Sequence, residues 1–328
     1  MNILIEEIKS ILPIKKYGGT QRVIWGLGKE LSKLGHSVYF LVKKGSHCDF
    51  ATIIPYDEGK NLNDQIPDHI DIVHMNHRPN ITLNTPYLIT MHGNTSIGEL
   101  LDINTVFVSK NHAKRHGTEV FIHNGIDWND YPYPILDNDR KNVHFLGKAS
   151  WKVKNVFGTI KIALKSGNKI HIIGGNRWTF RNFKRGFNYL LNKNVIFHGM
   201  LDNDKKIALA QTSKALVFPV VWHEPFGLAI TESLYAGCAV FGTKNGSLPE
   251  LITPEIGFIA NSSDEIAKAI KEFDYNPKRC HEHAVKYYNS KVMTESYLQL
   301  YKKVIAGETI NKEIPRYIEE KNIISKLD

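Results

Sequence analysis

Short apolar runs alternate with helix-spaced stretches along this chain, break off, and then begin again. That alternation constrains the fold more than any other feature, because strands separated by helices pack as α/β layers. "NILIEE" at residues 2–7 reads as a strand, and "YGGT" at 17–20 follows it after a loop. Val23, Ile24, Leu27, Leu31 and Leu34 then recur at helical spacing, and Gly35 stops the helix. "SVYFLV" at 37–42 is the next strand, so the opening is one βαβ unit. Its glycine pair lies at the strand-to-helix side, where α/β sheets hold ligands. Further buried strands are expected from "IDIVHM" at 70–75, "YLITMH" at 87–92, "TVFVS" at 105–109 and "VFIHNG" at 120–125.

The texture breaks over residues 127–142, "DWNDYPYPILDNDRKN", which are rich in Pro, Asp and Asn and have no period, as in a linker. The alternation then restarts. "VHFLG", "KIHIIGG", "VIFHG" and "ALVFPV" read as strands, and residues 155–165 and 228–236 as helices. "AVFGT", "SLPELI" and a helical stretch over 264–273 complete a second sheet, and from Pro277 the pattern is helical to the end. Such a tail can pack on either domain. A length of 328 residues, at ~150 per domain, also predicts two domains. The expected fold class is α/β, with two doubly wound domains in series and a ligand cleft between them.

The composition, 42% hydrophobic and 23% charged, is globular. No run approaches the ~20 apolar residues of a membrane span, and the N-terminus lacks the basic start and cleavage site of a signal peptide. Cys48, Cys238 and Cys280 are scattered, giving neither a disulfide framework nor zinc spacing, which fits a reducing cytosol. The net charge of +9 favours an anionic partner: a nucleotide, a nucleic acid or an acidic membrane surface.

The most specific chemistry lies in "WHEPFGLAITESLYAGC" at 222–238. Pro225 and Gly227 punctuate a turn, and Gly237 closes the short helix that follows. Glu224 therefore sits on the loop before the helix and Glu232 in its second turn. Between them the first-turn N–H groups lack intrahelical partners, which is where an anion binds. Two acids flanking an anion hole would repel a phosphate if both faced it, so each must contact something else on the same ligand. On this reading a pyrophosphate rests on the amides of Phe226, Gly227 and Leu228 while Glu232 accepts from ribose hydroxyls. The plain alternative is a helix with solvated acids near its positive end. "FLGKASWKVKN" at 145–155 adds Lys148, Lys152 and Lys154 at a strand's carboxyl end, where lysines serve as point charges for phosphate. A solvated basic loop is the commoner fate of a lysine run.

These residues make the chain recognisable. "YGGT", "HGN", "IHNGID", "FLGKASWKVKN", "VVWHEPFGLAITESLYAGCAVFGTKNGSLPELI" and "IGFIA" occur in the order seen in glycosyltransferase family 4, retaining nucleotide-sugar-dependent enzymes of the GT-B fold. The chain especially resembles a bacterial subgroup with Tyr-Gly-Gly-Thr after the first strand and Trp-x-Glu-Pro-Phe-Gly-Leu in the second domain. The resemblance runs from the N-terminus to about residue 262, and beyond Pro277 it is only helical character.

The resemblance implies a Rossmann-like N-terminal domain over 1–135 on the acceptor side and a C-terminal donor domain over 140–304. A C-terminal helix of about 305–328 would cross back to complete the first. Gly18, Gly19 and Thr20 would form the loop approaching the phosphates and the acceptor, and His92 would reach the donor sugar. Lys148 and Lys154 would hold the diphosphate, with Glu224 beside the transferring sugar, Glu232 on ribose and Pro225 in the donor-binding set. Asn124, in "IHNGID", joins the donor-binding set. Two departures from the family pattern stand out. Lysine replaces arginine at 148, giving up the bidentate fork. The loop 147–154 is also one residue longer, with Asn155 for a common glycine, so Lys152 competes with Lys154 for the phosphate; Lys154 is preferred because Asn155 opens the helix directly after it.

His74, His77 and His92 lie at strand ends without Cys or Asp at ligand spacing, so no metal is expected, and the resemblance points the same way. In "NRWTFRNFKRGFNYLLNK" at 176–193, Arg177, Arg181, Lys184 and Arg185 interleave with aromatics. An ordinary insert with inward aromatics is the favoured reading, contact with an anionic membrane the next, and nucleic acid the last. The expected protein is a cytoplasmic, metal-independent retaining hexosyltransferase, placed if anything at the inner face of the membrane. It would use a UDP-sugar, with a GDP-sugar next, and a hydroxyl acceptor in surface polysaccharide, lipopolysaccharide or glycolipid assembly. It would need no cofactor and bind no nucleic acid. The rival reading is a catalytically silent sugar-nucleotide-binding protein of the same fold.

Overall fold

The structure is a computed structural model, and it describes residues 1–14, 18–176, 189, 191–318 and 327. The chain divides into two compact units. The first comprises Met1–Asp127 and Tyr288–Lys321, and the second Trp128–Tyr287 with Asn322–Asp328.

The first unit is built on six parallel strands: β1 (Asn2–Glu7), β2 (Ser37–Val42), β3 (Thr52–Pro55), β4 (Ile72–Met75), β5 (Tyr87–Met91) and β6 (Thr105–Phe107). Their order is β3-β2-β1-β4-β5-β6, and every pairing is parallel. Ile3, Leu4 and Ile5 of β1 and Ile72 and Val73 of β4 are fully buried, as strands covered on both faces must be. Helix α1 (Gly19–Lys33) buries Val23, Ile24, Leu27 and Leu31, the stripe expected from the spacing. Helix α2 (Lys110–Lys114) is a short addition capped by Ser109, whose side chain accepts from the His112 amide.

The strand expected at 120–125 does not form. Phe121 makes a single parallel bridge to Phe107, and the chain then leaves the sheet so that the Ile126 amide bonds the Tyr288 carbonyl. A strand as short as β6 has no further backbone to offer as a ladder. Edge strand β3 leaves little signal in the sequence, because its residues are at most half buried and it ends in proline.

The second unit repeats the plan. Its strands are β7 (Val143–Leu146), β8 (Ile170–Ile173), β9 (Val195–Gly199), β10 (Ala215–Phe218), β11 (Ala239–Gly242) and β12 (Gly257–Ile259). They pair in parallel in the order β12-β11-β10-β7-β8-β9. Numbered from its own first strand, this is the same 3-2-1-4-5-6 order as the first unit. Each unit therefore has a topological switch point where the winding reverses, beside β1 and β4 in one and β7 and β10 in the other. Helices α3 (Val156–Lys165), α4 (Asn203–Ala210), α5 (Leu228–Tyr235), α6 (Leu248–Leu251), α7 (Ser263–Glu272) and α8 (Pro277–Tyr287) belong to this unit. "SLPELI" is the one-turn helix α6, with proline in its first turn, and β12 supplies the last strand.

Helix α9 (Ser290–Ile305) belongs to the first unit, and of the return expected over 305–328, residues 319–326 and 328 lie outside the described residues. Gly307, with φ +83°, stops α9. Residues 306–318 then run without helix, pairing Leu100 with Arg316 in one antiparallel bridge. In α9, Tyr301 hydrogen-bonds His74 at 2.6 Å and Tyr297 hydrogen-bonds Thr90 at 2.8 Å, which ties the helix to β4 and β5.

Candidate functional site

In the second unit β10 ends at Phe218, residues 219–227 form a loop, and α5 begins at Leu228. Gly227 caps α5 at φ +91°, a backbone state that costs an L side chain energy and a glycine almost none. No side chain caps this end. Among the described residues the amides of Gly227, Leu228 and Ala229 meet no acceptor, while the Ile230 amide bonds the Gly227 carbonyl at 2.9 Å. The turn predicted from Pro225 and Gly227 thus leaves a row of outward N–H groups at the positive end of a helix dipole.

Glu224 and Lys154 form a buried ion pair. Lys154 Nζ lies 2.6 Å from Glu224 Oε2, with the residues 9% and 5% exposed. Trp222 Nε1 donates to the same oxygen at 2.7 Å. The ammonium also lies 5.0 Å from both the Phe218 and Trp222 ring centres, within cation–π range. The loop after β11 holds this arrangement in place. A Cβ on Gly246 would meet the Glu224 backbone at 2.2 Å, and the Ser247 amide bonds the Glu224 carbonyl at 3.0 Å. Ser247 Oγ donates to the Phe226 carbonyl at 2.7 Å, so the segment before the helix is pinned at two points.

The lysine loop resolves into distinct environments. Lys152–Lys154 make one 3₁₀ turn, in which Lys154 is buried and Lys152 exposed. Lys148 is exposed and sits 5.2 Å from the Trp151 ring centre. Asn155 explains the glycine-like position: its φ is +50°, in the left-handed region that asparagine tolerates. From there Oδ1 accepts from the Gly158 amide at 3.1 Å, capping α3, and Nδ2 donates to the Pro219 carbonyl at 2.9 Å. One side chain therefore joins the lysine loop to the loop carrying Glu224.

Glu232, one turn into α5, is buried rather than solvated. Its Oε1 accepts from Tyr131 Oη at 2.6 Å and from the buried Lys206 ammonium. Among the described residues Oε2 has no partner. Tyr131 comes from the stretch read as linker, which packs on this unit: Trp128 stacks on Tyr235 with ring centres 4.2 Å apart.

In the first unit Gly18 caps α1, and a Cβ there would meet Ile14 at 2.3 Å, so the glycine is a close approach of chain to chain. Gly19 and Thr20 open the helix. Tyr17 of the same motif lies outside the described residues. His92 follows β5, and Nε2 lies 2.9 Å from Asn76 Oδ1. Its Nδ1 is buried without a partner. Burial, with electrostatic repulsion from the neighbouring His77 ring next, pushes His92 down to about 3. Asn124 is buried. The predicted residues thus divide between the two units. Glu224, Lys154, the Gly227 amides and Glu232 gather in the second unit, and His92 stands at the edge of the first.

Sequence reading missed Trp222, Gly246, Ser247, Tyr131 and Lys206. Trp222 was inside the quoted motif, and "NGS" at 245–247 is a turn signal. Lys206, in "DNDKKIALA", carries no signal at all. Among the described residues no cluster of His, Cys, Asp or Glu is arranged to hold a metal, and no helix is long and apolar enough to cross a membrane. Arg177, Arg181, Lys184 and Arg185 of the basic aromatic insert lie outside the described residues.

Residues 135–290, nearly all of the second unit, match the family model "Glycosyl transferases group 1". An uncharacterised 41.2 kDa protein in the cps region of Klebsiella pneumoniae is 26% identical over 178 residues, 51% of this chain and 48% of that protein. The serotype-specific mannosyltransferase WbdA of Escherichia coli is 43% identical over 63 residues, 19% of this chain and 8% of that protein. The chain thus spans about half or less of the curated relatives it matches. AviGT4, a glycosyltransferase involved in avilamycin A biosynthesis, superposes with a TM-score of 0.76 at 18% identity, over 94% of this chain and 99% of that one. Anabaena HepE in complex with UDP-glucose gives 0.62 at 14%, over 92% and 99%. These likenesses show the fold: GT-B, two Rossmann-like domains in one chain.

Proposed function

We propose that this protein is a metal-independent, retaining glycosyltransferase that moves a hexosyl group from a nucleotide diphosphate sugar, UDP-linked by preference, to a hydroxyl acceptor. The observation that carries the reading is the second-unit constellation: a row of unpaired helix amides between two buried glutamates, with a buried lysine on the first. The match of that same unit to group 1 glycosyl transferases supports it. The UDP-glucose bound by HepE supports the donor class.

On this reading the diphosphate rests on the amides of Gly227, Leu228 and Ala229. Lys154 turns from Glu224 toward the phosphate, and Lys148 adds a second cation. Cations and preoriented amides stabilise the charge that grows on the leaving diphosphate. The bond from the anomeric carbon to the β-phosphate oxygen breaks, the acceptor oxygen bonds that carbon on the same face, and the hydroxyl proton passes to the departing phosphate. No side chain acts as a covalent nucleophile. Glu224, released from Lys154, holds the transferring sugar, while Glu232 takes ribose hydroxyls on Oε2. The cps and mannosyltransferase relatives support an acceptor of the surface-polysaccharide class.

Thermal unfolding with UDP, GDP and ADP side by side tests the reading. A nucleotide present at about 100 times its Kd adds roughly 2.7 kcal/mol of stability. UDP should raise the melting temperature most, and a flat response to all three sinks the proposal. Turnover should survive EDTA; loss on chelation that only Mg²⁺ or Mn²⁺ restores would refute the metal-free part.

A further inference from the structure

The carboxyl edge of the first sheet holds a polar cluster that the donor site does not use. Glu6 on β1 is fully buried. Its Oε2 accepts from the Asn76 and His77 amides at 3.0 Å each, and its Oε1 from the Ile8 amide at 3.0 Å. His77 Nδ1 lies 2.9 Å from Oε1. Asn76, directly after β4, donates Nδ2 to the Glu6 carbonyl at 2.8 Å and turns Oδ1 toward His92 Nε2 at 2.9 Å.

This geometry determines a tautomer. Flipping the Asn76 amide would set its Oδ1 against the Glu6 carbonyl oxygen at 2.8 Å, two acceptors with no hydrogen between them. Oδ1 therefore faces His92, an acceptor that requires a hydrogen on Nε2. A neutral imidazole protonated at Nε2 bears a lone pair at Nδ1. That Nδ1 is buried and has no partner among the described residues, and a buried acceptor without a donor costs free energy.

We propose that Asn76 is a positioning residue: backed by Glu6, it holds His92 in the Nε2–H tautomer so that Nδ1 is offered as a hydrogen-bond acceptor for a sugar hydroxyl. Identifying the occupant as a sugar rests on the proposed glycosyl transfer; the tautomer does not. The arrangement selects an O–H donor and rejects an anionic oxygen at this point, because two lone pairs would meet. His92 also stays neutral. The titratable groups facing it are His77 and Glu6 beside the same edge, His74 on β4 and His112 on α2. Glu6 is the one acid among them, and it is engaged by His77 and three amides.

The test is ¹⁵N and ¹³C NMR of ring-labelled protein, with His92 assigned from His92→Gln. The expected shifts are those of an Nε2–H tautomer through pH 6–8; an Nδ1–H tautomer or an imidazolium overturns the proposal. Asn76→Ala should mix the tautomers and lower kcat/KM about tenfold, the loss of one neutral hydrogen bond, with UDP affinity unchanged. Asn76→Asp should place an anion on Nε2–H, raise the His92 pKa, and bring an acid limb into the pH profile near neutrality. If Asn76→Asp does not fold, the wild-type spectrum and Asn76→Ala still decide. A wild type with the Nε2–H tautomer but no UDP binding rejects the transferase reading alone; Asn76→Ala with an unchanged spectrum rejects the positioning role alone.

Discussion

The two units share one strand order and differ in the chemistry at their switch points. Beside β7 and β10 the edge is ionic: Lys154 faces Glu224, Lys206 faces Glu232, and helix amides stand open between the acids. Beside β1 and β4 it is nearly self-contained. Glu6 is engaged by three amides and His77, and His92 presents a neutral ring. Topology therefore decides where a ligand can lie, and the few residues beyond each strand's end decide what it can be. The second unit suits a polyanion, whose arrival releases one buried ion from another. The first suits neutral hydroxyls.

The largest effect expected from this contrast is on stability. Lys154→Met strands the buried Glu224 carboxylate and should cost about 3–5 kcal/mol in urea unfolding. Asn76→Ala in the first unit removes neutral hydrogen bonds and should cost only about 1–2 kcal/mol. Equal losses would erase the distinction between an ionic and a neutral edge.

Nucleotide affinity sharpens the comparison within the ionic edge. Glu232→Gln loses a charged acceptor and should weaken UDP by about 1.5–3 kcal/mol, roughly 10- to 150-fold, in calorimetry. Glu224→Gln frees Lys154 for the phosphate, so UDP should bind at least as well as before. Its defect should lie in turnover, with kcat and kcat/KM falling together. Equal affinity losses in the two variants would mean that both acids clamp the nucleotide.

Acid should unsettle both units. Burial pushes His74 and His92 in the first, and His144 in the second, down to about 3. In the unfolded chain each takes up a proton near pH 6.5, while in the folded protein it stays neutral. Stability is therefore fully present above pH 6.5 and falls as pH drops toward 3, by up to about 1.4 kcal/mol per pH unit for each histidine. His74→Gln should flatten the slope in a pH series of melting temperatures, and an unchanged slope would place the proton uptake elsewhere.

The smallest effect belongs to one of two changes at Asn155. Asn155→Gly loses the cap of α3 but suits the positive φ, and should change stability by less than about 1 kcal/mol. Asn155→Ala loses the cap and strains the backbone, and should cost about 2 kcal/mol. The same loss in both variants would mean that the bond to the Pro219 carbonyl, not the dihedral, is what matters there.

The βαβ rhythm was legible because a strand buried on both faces and a helix buried on one leave different apolar periods in the chain. "SVYFLV" became β2 over the same residues, and the apolar stripe of α1 is buried as spaced. Glu224, Gly227 and Glu232 were legible too, since a turn and the helix it opens are local structures whose residues stand in sequence order. The partners of those acids were not legible. Lys154 reaches Glu224 across 70 positions and Lys206 reaches Glu232 across 26; Lys154 was marked as a phosphate lysine but not as this partner, and nothing in the neighbours of Lys206 marks it. The sequence favoured Lys154 over Lys152 from the helix start at Asn155, but did not show the burial that divides them, two residues apart in the same 3₁₀ turn. Local propensity acts over a few residues and so determines elements and turns. Burial and long-range pairing follow from the tertiary packing of strand ends, and that packing alone decided which charges meet, which amides stay open and which histidine keeps a lone pair to offer.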